Sequence, residues 1–272
     1  MEISTGKPLS RRTALRGMGA AAALPLIDPA DSRSSRAVEG KVALVTGSGR
    51  NLGRATVLEL ARQGADVVVN ARSNREQAEA VAREAEALGV RAIALLADVG
   101  IEEQVNQMVE EALERLGRID ILINNAGFRG SSSIAEMTTD EWRAAAAVNF
   151  DGPFFCTRAV VPGMISNAYG RIITVSGLNS FVGRPNWAHI CGSKMGAMGM
   201  TRALAVELGQ YNIVVNHVVP GAYVAHPDLD RIPVGRVGLP QELANMYAFL
   251  SSEEASNITG QTFHVNGGEV RY

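Results

Sequence analysis

The stretch KVALVTGSGRNLGRATVLELARQGADVVVN, residues 41–70, decides the fold predicted for this chain. It begins with a short apolar run that ends at a glycine, as a buried strand does. Apolar residues at helical spacing follow from Asn51 to Gln63, and residues 65–70 form a second apolar run. Two buried strands joined through a helix imply that the strands run parallel.

The rest of the chain repeats this alternation of strand and helix. Further strands are predicted at 91–99, 119–127, 170–177, 212–221 and 260–268, and further helices at 74–89, 102–117, 138–164, 193–210 and 239–252. The helix at 138–164 contains Gly152 and Pro153, so we expect a kink near them. The pattern predicts one α/β domain with a doubly wound parallel sheet, which binds ligands at the carboxyl ends of its strands.

Composition excludes several classes of protein. The formal net charge of −2 gives no reason to expect nucleic acid or an anionic membrane surface as a partner. The chain has only two cysteines, too few for a disulfide scaffold, and no apolar run as long as the roughly 18 residues that suggest a membrane span. No metal site is predicted. A small molecule is the expected partner.

The first 38 residues differ from the rest of the chain. Arg11 and Arg12 precede a weakly apolar segment, 18–27, and a polar segment follows it. The pattern resembles a twin-arginine export signal, which would place the protein in the periplasm or outside the cell. The alternative is a flexible extension on a cytoplasmic protein, which we favour. Either way, residues 39–272 are expected to form the folded domain.

The turn after the first strand has the features of a phosphate-binding loop. Gly47 permits a tight turn, Gly49 and Asn51 allow the backbone to approach a diphosphate, and Gly53 lets the helix pack against the strand. The diphosphate would then face the free N–H groups and the favourable dipole at the helix N-terminus. The strand before the loop and the helix after it make a dinucleotide the expected ligand.

The end of the second strand predicts which dinucleotide is bound. A carboxylate there would accept hydrogen bonds from a free ribose 2′-hydroxyl, but this chain has Asn70, followed by Arg72. Arg72 and Arg50 favour a 2′-phosphate by charge and by bidentate hydrogen bonding, so we predict NADP(H) over NAD(H). Asp98 is a candidate acceptor for the adenine amino group or, alternatively, a cap for the next helix.

Several motifs together resemble the short-chain dehydrogenase/reductase family over about residues 40–272. They are Thr46-Gly47 with Gly53, NNAG at 124–127, Asn149, Ser176, Lys194, PG at 220–221 and the ending ITGQTFHVNGG. The resemblance implies a seven-stranded Rossmann-like sheet with helices on both faces, a nicotinamide cofactor, and a homodimer or homotetramer built on two long helices. The expected cofactor-binding residues are Gly47, Gly49, Arg50, Asn51, Leu52, Gly53, Asn70, Arg72, Asp98, Val99, Asn125, Ala126, Gly127, Lys194, Pro220 and Gly221.

The resemblance also implies a catalytic set from which one member is missing. In the family a serine polarises the substrate carbonyl, a tyrosine passes the proton, a lysine tunes the tyrosine and holds the ribose, and an asparagine positions a water. Ser176, Lys194 and Asn149 match three of these, whereas Ile190 stands four residues before the lysine, where the tyrosine belongs. His189 and Tyr223 are the candidate replacements, because both side chains carry a transferable proton.

Three other departures concern the loop and the pocket. Asn51 replaces a family glycine, and Ala225 stands where the family often has a threonine. The segment 222–231 is short for a lid, so we expect an open pocket. The expected lining residues Leu178, Phe181, Trp187 and Tyr223 suggest that it takes an apolar or aromatic ligand.

The predicted function is NADP(H)-dependent oxidation or reduction of a small apolar carbonyl, alcohol or activated alkene, with a non-standard proton donor. General acid catalysis contributes a factor of about 10² to 10⁴, so the loss of the tyrosine leaves two alternatives open. One is a non-redox dehydratase, isomerase or cyclase on the same scaffold, and the other is a cofactor-binding protein without turnover.

Overall fold

The computed structural model describes residues 36–223 and 228–271. The twin-arginine pattern and Ala225 lie outside the described residues. The main compact unit begins at Arg36 rather than at residue 39. Val38 is buried in it, and its backbone N–H donates to the carbonyl of Gln63 at 3.1 Å. Residues 36–38 therefore belong to the folded unit and not to the extension.

Seven parallel strands form the single sheet of the described residues. They are β1 (Val42–Val45), β2 (Asp66–Ala71), β3 (Ala92–Leu96), β4 (Ile121–Asn124), β5 (Gly170–Val175), β6 (Ile213–Pro220) and β7 (Thr262–Val265). Their order across the sheet is β3-β2-β1-β4-β5-β6-β7. The order reverses direction between β1 and β4, which creates a crevice at their carboxyl ends. The predicted doubly wound sheet is confirmed.

Helices cover both faces of the sheet. They are α1 (Asn51–Arg62), α2 (Arg75–Glu86), α3 (Glu102–Leu116), α4 (Thr139–Ala146), α5 (Gly152–Ser166), the short α6 (Asn179–Val182), α7 (Ala188–Leu208) and α8 (Pro240–Ser251). One core lies between the sheet and α1, α2 and α8, and the other lies between the sheet and α3, α5 and α7. None of these helices is long and apolar enough to cross a membrane.

Local chemistry explains where the helices begin and end. The side chain of Asn74 caps α2 by accepting a hydrogen bond from the Gln77 N–H at 2.9 Å. Thr138 and Glu141 form a reciprocal capping box at the start of α4. Gly117 ends α3 with φ of 86°, a left-handed conformation that glycine adopts without a steric cost.

The predicted long helix at 138–164 is interrupted by a wider turn. Residues Ala147–Asp151 form a π-helical turn between α4 and α5, so the irregularity precedes Gly152 and Pro153. Pro153 lies in the first turn of α5 and has no N–H to continue the hydrogen-bond ladder from the π-helical turn into α5. A Cβ added at Gly152 would lie 3.0 Å from Cγ2 of Val99, so this glycine allows close packing. The turn carries Asn149, and π-helical turns are frequent at functional sites.

Candidate active site

The candidate site lies at the carboxyl ends of β1, β4, β5 and β6. Thr46 joins the first two of these ends, because its Oγ1 accepts hydrogen bonds of 3.0 Å from the N–H groups of Asn125 and Ala126. The side-chain amide of Asn125 donates to the carbonyls of Thr46 at 2.8 Å and Gly47 at 3.2 Å. Asn125 therefore positions the loop after β1, while Ala126 and Gly127 continue along the edge of the crevice.

The loop between β1 and α1 leaves room for a diphosphate. Gly47 has φ of 61° and Asn51 has φ of 50°. Asparagine tolerates this left-handed conformation better than most residues, which explains how it replaces a family glycine. A Cβ at Gly53 would lie 2.6 Å from the Gly47 carbonyl oxygen, so only glycine fits there. A Cβ at Gly49 would make only ordinary contacts, the nearest at 3.6 Å.

The N-terminus of α1 is suited to an anion. No side chain caps its first turn, and that turn contains no acidic residue. The free N–H groups and the helix dipole at this end therefore attract negative charge. Leu52 is half-buried behind the loop. The cradle and the uncapped helix together fit the diphosphate of a dinucleotide.

Asn70 supports the phosphate loop from beneath. Its side chain is buried, its Oδ1 accepts from the Gly47 N–H at 3.0 Å, and its Nδ2 donates to the carbonyl of Ala97 at 3.2 Å. The sequence predicts Asn70 beside the ribose of the cofactor. In the structure, both ends of its amide are instead hydrogen-bonded to backbone groups, so the role of Asn70 is to hold the loop in place.

Arg50 and Arg72 are exposed beside the loop. Neither side chain makes an ion pair with another residue in the described ranges, so both guanidinium groups are available to a ligand. At the end of β3, Asp98 accepts a hydrogen bond from the Gly100 N–H at 3.0 Å, and Val99 is buried. The Asp98 carboxylate thus shapes the turn before α3.

Ser176 and Lys194 converge at the end of β5. The Lys194 ammonium donates to the carbonyls of Val175 at 3.3 Å and Ser176 at 3.4 Å. The Ser176 hydroxyl is buried and has no hydrogen-bond partner among the described residues. A buried polar group without a partner is costly, so this hydroxyl is the exception in the site that calls for an explanation.

Asn149 reaches the same place from the π-helical turn. Its Oδ1 accepts from the Phe128 N–H at 2.9 Å, and its Nδ2 donates to the Phe128 carbonyl at 3.2 Å. A Cβ added at Gly127 would lie 3.5 Å from Asn149 Oδ1 and 3.6 Å from Lys194 Nζ. Gly127 therefore keeps open a small space that both side chains border.

Burial makes Lys194 a stronger acid than an ordinary lysine. Desolvation, assisted by the positive charge of Arg129, lowers the pKa of Lys194 to about 8. His217 on β6 lies beneath it, fully buried, with no hydrogen-bond partner for either ring nitrogen among the described residues. Desolvation and the Lys194 charge lower the pKa of His217 to about 3, so its ring is neutral. No sequence motif marks Arg129 or His217, although both interact electrostatically with Lys194.

Ile190 and His189 are buried, and Tyr223 is tied to the backbone by a hydrogen bond. Ile190 is 1% exposed. His189 is buried on the side of α7 toward Gly130, where an added Cβ would lie 3.5 Å from its Nε2. The Tyr223 hydroxyl donates to the Val265 carbonyl at 2.9 Å. The Tyr223 side chain packs on the core formed with α1 and α8, which lies across the sheet from α7. The structure does not bring Tyr223 together with Ser176 and Lys194.

The β6 end of the site is closely packed. The Gly221 N–H donates to the Val265 carbonyl at 3.1 Å, and the Pro220 carbonyl accepts from the Leu178 N–H at 3.0 Å.

A cavity of about 370 Å³ opens beside α7. It is lined by Ser132, Ser133, Ile134, Gly183, Arg184, Pro185, Asn186, Ala188 and Cys191. None of the residues expected to line the substrate pocket borders this cavity, and neither Ser176 nor Lys194 does, so it is distinct from the pocket that the sequence predicts. No cluster of three metal-ligating side chains occurs in the part of the chain that the structure describes.

Comparison with known proteins identifies relatives of the chain. The family model for short chain dehydrogenase matches residues 41–227. A 3-oxoacyl-[acyl-carrier-protein] reductase of Synechocystis is 38% identical over 245 residues, which cover 87% of this chain and 99% of the relative. A reductase of the same name from Staphylococcus epidermidis is 37% identical over 239 residues, covering 84% and 98% of the two chains.

A solved structure also resembles the fold closely. It is a gluconate 5-dehydrogenase from Burkholderia cenocepacia in complex with NADP and tartrate. It superposes with a TM-score of 0.81 at 33% identity, covering 86% of this chain and 97% of the other. With the sheet order, the phosphate loop and the Ser176–Lys194 arrangement, these matches show that the chain belongs to the short-chain dehydrogenase/reductase family of oxidoreductases.

Proposed function

We propose that this protein is an NADP(H)-dependent oxidoreductase that reduces a small carbonyl compound, or oxidises the corresponding alcohol, without a tyrosine. The observation that carries the proposal is the buried Ser176 hydroxyl, which has no hydrogen-bond partner among the described residues and belongs to the residue whose backbone carbonyl accepts from Lys194. A substrate carbonyl oxygen would supply the acceptor that this hydroxyl lacks. An activated alkene conjugated to such a carbonyl is a substrate of the same class.

Exposed cationic side chains support the choice of cofactor. Arg50 lies within the phosphate loop and Arg72 directly follows β2, and neither has an ion-pair partner among the described residues. Guanidinium groups bind phosphate in a bidentate manner. The B. cenocepacia relative was solved with NADP. The nicotinamide dinucleotide, when bound, supplies or accepts the hydride.

The residues of this chain would then divide the remaining work. The loop 47–53 and the N-terminus of α1 hold the diphosphate. Lys194 holds the ribose hydroxyls, and Ser176 donates to the substrate oxygen and polarises it. Asn149 holds the Phe128 backbone, which fixes the loop along one wall of the site. In this arrangement Asn149 also presents its amide to the space beside Gly127.

A non-redox catalyst is the second candidate, favoured by one observation. Ile190 is buried and offers no proton at the position where the family places its tyrosine. A dehydratase, isomerase or cyclase would convert substrate without net consumption of NADPH. A cofactor-binding protein without turnover would neither convert substrate nor consume NADPH.

Restoring the tyrosine tests the proposed function. Binding of NADPH and NADH is measured by fluorescence, and NADPH consumption is followed with a panel of ketones and enones. We expect turnover by the natural sequence and at least a tenfold gain in ketone reduction in Ile190→Tyr, since general acid catalysis contributes about 10² to 10⁴.

Ile190→Phe is the matched control, because it adds the ring without the hydroxyl. A gain in Ile190→Tyr that Ile190→Phe does not share shows that the hydroxyl is responsible. Product formation without NADPH consumption would instead support the non-redox candidate. Cofactor binding without NADPH consumption and without product formation would support the third candidate, a cofactor-binding protein without turnover.

Assembly and location complete the proposal. Trp142, Phe150 and Phe154 lie exposed on α4, the π-helical turn and α5. We propose that these apolar side chains contribute to a homodimer or homotetramer, which light scattering would detect. We propose the cytoplasm as the place of action, because reduced nicotinamide cofactor is scarce outside it. Fractionation of cells that express the full chain distinguishes this location from export.

A further inference from the structure

Lys194 lacks the partner that a family lysine has one helical turn away. Ile190 precedes it by four residues on α7, so the two side chains share a face of the helix. An isoleucine side chain offers no polar atom. The two hydrogen bonds that the ammonium makes, to the Val175 and Ser176 carbonyls, are long at 3.3 and 3.4 Å. An ammonium has three N–H donors, so at least one is free for a ligand.

The free side of the ammonium borders the space kept open by Gly127. That space is also bordered by Asn149 Oδ1, and Gly127 itself is exposed. The unpartnered Ser176 hydroxyl belongs to the residue whose carbonyl Lys194 contacts. A carbonyl oxygen bound by Ser176 therefore lies in the neighbourhood of the Lys194 N–H groups.

The charged surroundings of Lys194 favour release of a proton. Arg129, on the loop after β4, is the charged group that acts on it, and no carboxylate among the described residues stabilises the ammonium. His217, on β6, is neutral and neither accepts the proton nor competes as an acid near neutral pH. Desolvation and Arg129 bring the pKa of Lys194 to about 8, close to the working pH that suits a general acid.

Of the other two candidate donors, only Tyr223 is tied by a side-chain hydrogen bond among the described residues. The Tyr223 hydroxyl is already donated to the Val265 carbonyl, and burial raises its pKa well above the ordinary value. His189 lies toward Gly130 and α4. Hydrogen bonds from Thr138 lower the pKa of Glu141 on α4, and the charge of His189 contributes to the same effect. The His189 ring therefore lies near the loop at Gly130, and no hydrogen bond among the described residues joins it to the Ser176 hydroxyl.

We propose that Lys194 itself, rather than a tyrosine, donates the proton to the substrate oxygen, directly or through one water. This inference rests on the proposed reduction of a carbonyl compound. An N–H bond of the ammonium breaks and an O–H bond forms as the carbon–oxygen π electrons move to oxygen. The carbonyl carbon is reduced by the hydride of the nicotinamide. Lys194 is left as a neutral amine and recovers its proton from water.

The lysine content of the chain allows a direct test that needs no turnover. Only Lys7, Lys41 and Lys194 are present, so protein labelled with ¹³C-lysine gives three sets of side-chain signals. The Lys194 Cε signal is assigned by its loss in Lys194→Arg. We expect it to titrate with a midpoint near pH 8, because burial and the charge of Arg129 lower the pKa of Lys194 to about 8. A midpoint above about pH 10, the ordinary range of lysine, would overturn the proposal.

Activity of the variant separates this proposal from the proposed function. Arginine keeps the charge and the reach but does not give up a proton in proteins. In Lys194→Arg we expect a loss of kcat of about 100-fold or more, which exceeds the loss of NADPH affinity that follows from changing a ribose-binding side chain. For the natural sequence, kcat/KM for ketone reduction should fall about tenfold per pH unit above pH 8, because the neutral amine has no proton to give.

The outcomes are distinguishable. Lys194→Arg with kcat within about threefold of the natural sequence, or a flat pH profile from about pH 6 to 10, would overturn the donor role alone. Absence of NADPH-dependent turnover across the whole panel would overturn the proposed function and the donor role with it.

Discussion

The side-chain oxygen Oδ1 of Asn70 accepts a hydrogen bond of 3.0 Å from the backbone N–H of Gly47. The end of β2 therefore holds the loop that follows β1, and the amide nitrogen of Asn70 anchors it in turn to the end of β3 through the Ala97 carbonyl. An acceptor at one end and a donor at the other are both required, and the asparagine amide supplies both in a buried position.

Replacing this amide by a carboxylate should therefore destabilise the fold. Asn70→Asp keeps the acceptor for Gly47 but sets a buried negative charge against the Leu95 and Ala97 carbonyls, which now accept from Nδ2. We expect the free energy of unfolding to fall by about 3 kcal/mol near pH 8. The loss should be smaller near pH 5, because a protonated carboxyl can donate to the Ala97 carbonyl. Urea unfolding at both pH values measures the difference.

Asn74→Asp is the matched control for this change. Asn74 is exposed and caps α2, and aspartate caps a helix as well as asparagine does. We expect its unfolding free energy to stay close to that of the natural sequence. An equally stable Asn70→Asp at pH 8 would show that the amide does not hold the loop.

Arg72→Ala should lower affinity for NADPH selectively. A charge-assisted hydrogen bond is worth about 1.5–3 kcal/mol, so loss of the contact to the 2′-phosphate should raise the Kd for NADPH about tenfold or more. The Kd for NADH, which has no such phosphate, should change little. Fluorescence titration with each cofactor measures the two values. Arg83→Ala, an exposed arginine on α2 that pairs with Glu79, serves as the control. Equal losses for the two cofactors would argue against a role for Arg72 in selectivity.

Two glycines of the phosphate loop should respond differently to alanine. A Cβ at Gly53 would press on the Gly47 carbonyl oxygen at 2.6 Å, so Gly53→Ala should cost about 1–3 kcal/mol of stability and weaken NADPH binding. A Cβ at Gly49 meets nothing closer than 3.6 Å, so Gly49→Ala should fold normally. It should still weaken NADPH binding at least about tenfold, because the methyl group enters the diphosphate cradle. Thermal unfolding and cofactor titration on both variants separate the effects, and unchanged binding by Gly49→Ala would place the diphosphate elsewhere.

His217 should make the fold sensitive to acid. The pKa of His217 is lowered to about 3 by desolvation, whereas an unfolded histidine titrates near 6.5. As pH falls below about 6.5, His217 binds a proton in the unfolded chain but not in the folded chain. The free energy of unfolding therefore decreases with falling pH until about pH 3. His217→Leu removes the group and should reduce this slope by about 1.4 kcal/mol per pH unit. Unfolding measured from about pH 7 to 4 checks the slope, and an unchanged slope would show that His217 does not cause it.

Most of the fold could be predicted from patterns that local physics imposes. Apolar runs identified the first six strands, and the shorter, more polar stretch at 260–268 contains the seventh. The predicted ranges 74–89 and 102–117 contain α2 and α3, whose ends are set by the cap at Asn74 and the left-handed Gly117. The turn at Ala147–Asp151 was predicted only as a kink near Gly152. A π-helical turn depends on packing against the loop at Phe128, which no local pattern encodes.

The site was predictable where family motifs mark it and not where burial decides it. Ser176, Lys194 and Asn149 lie together as the motif order implied. The direction of the Asn70 side chain depends on which carbonyls end the neighbouring strand, and the tie of Tyr223 to Val265 depends on a contact 42 residues away. Such contacts between distant segments are invisible in sequence spacing.

The π-helical turn means that part of this site is encoded by the number of residues and not only by their kinds. Each residue of a helix rotates the chain by about 100°, so closing the turn by deleting one residue would swing whatever lies on one side of it away from its present direction. Asn149 could then keep its identity and still lose the Phe128 backbone. A one-residue deletion between 147 and 151 is thus equivalent to the loss of a functional side chain, although no functional side chain has been removed.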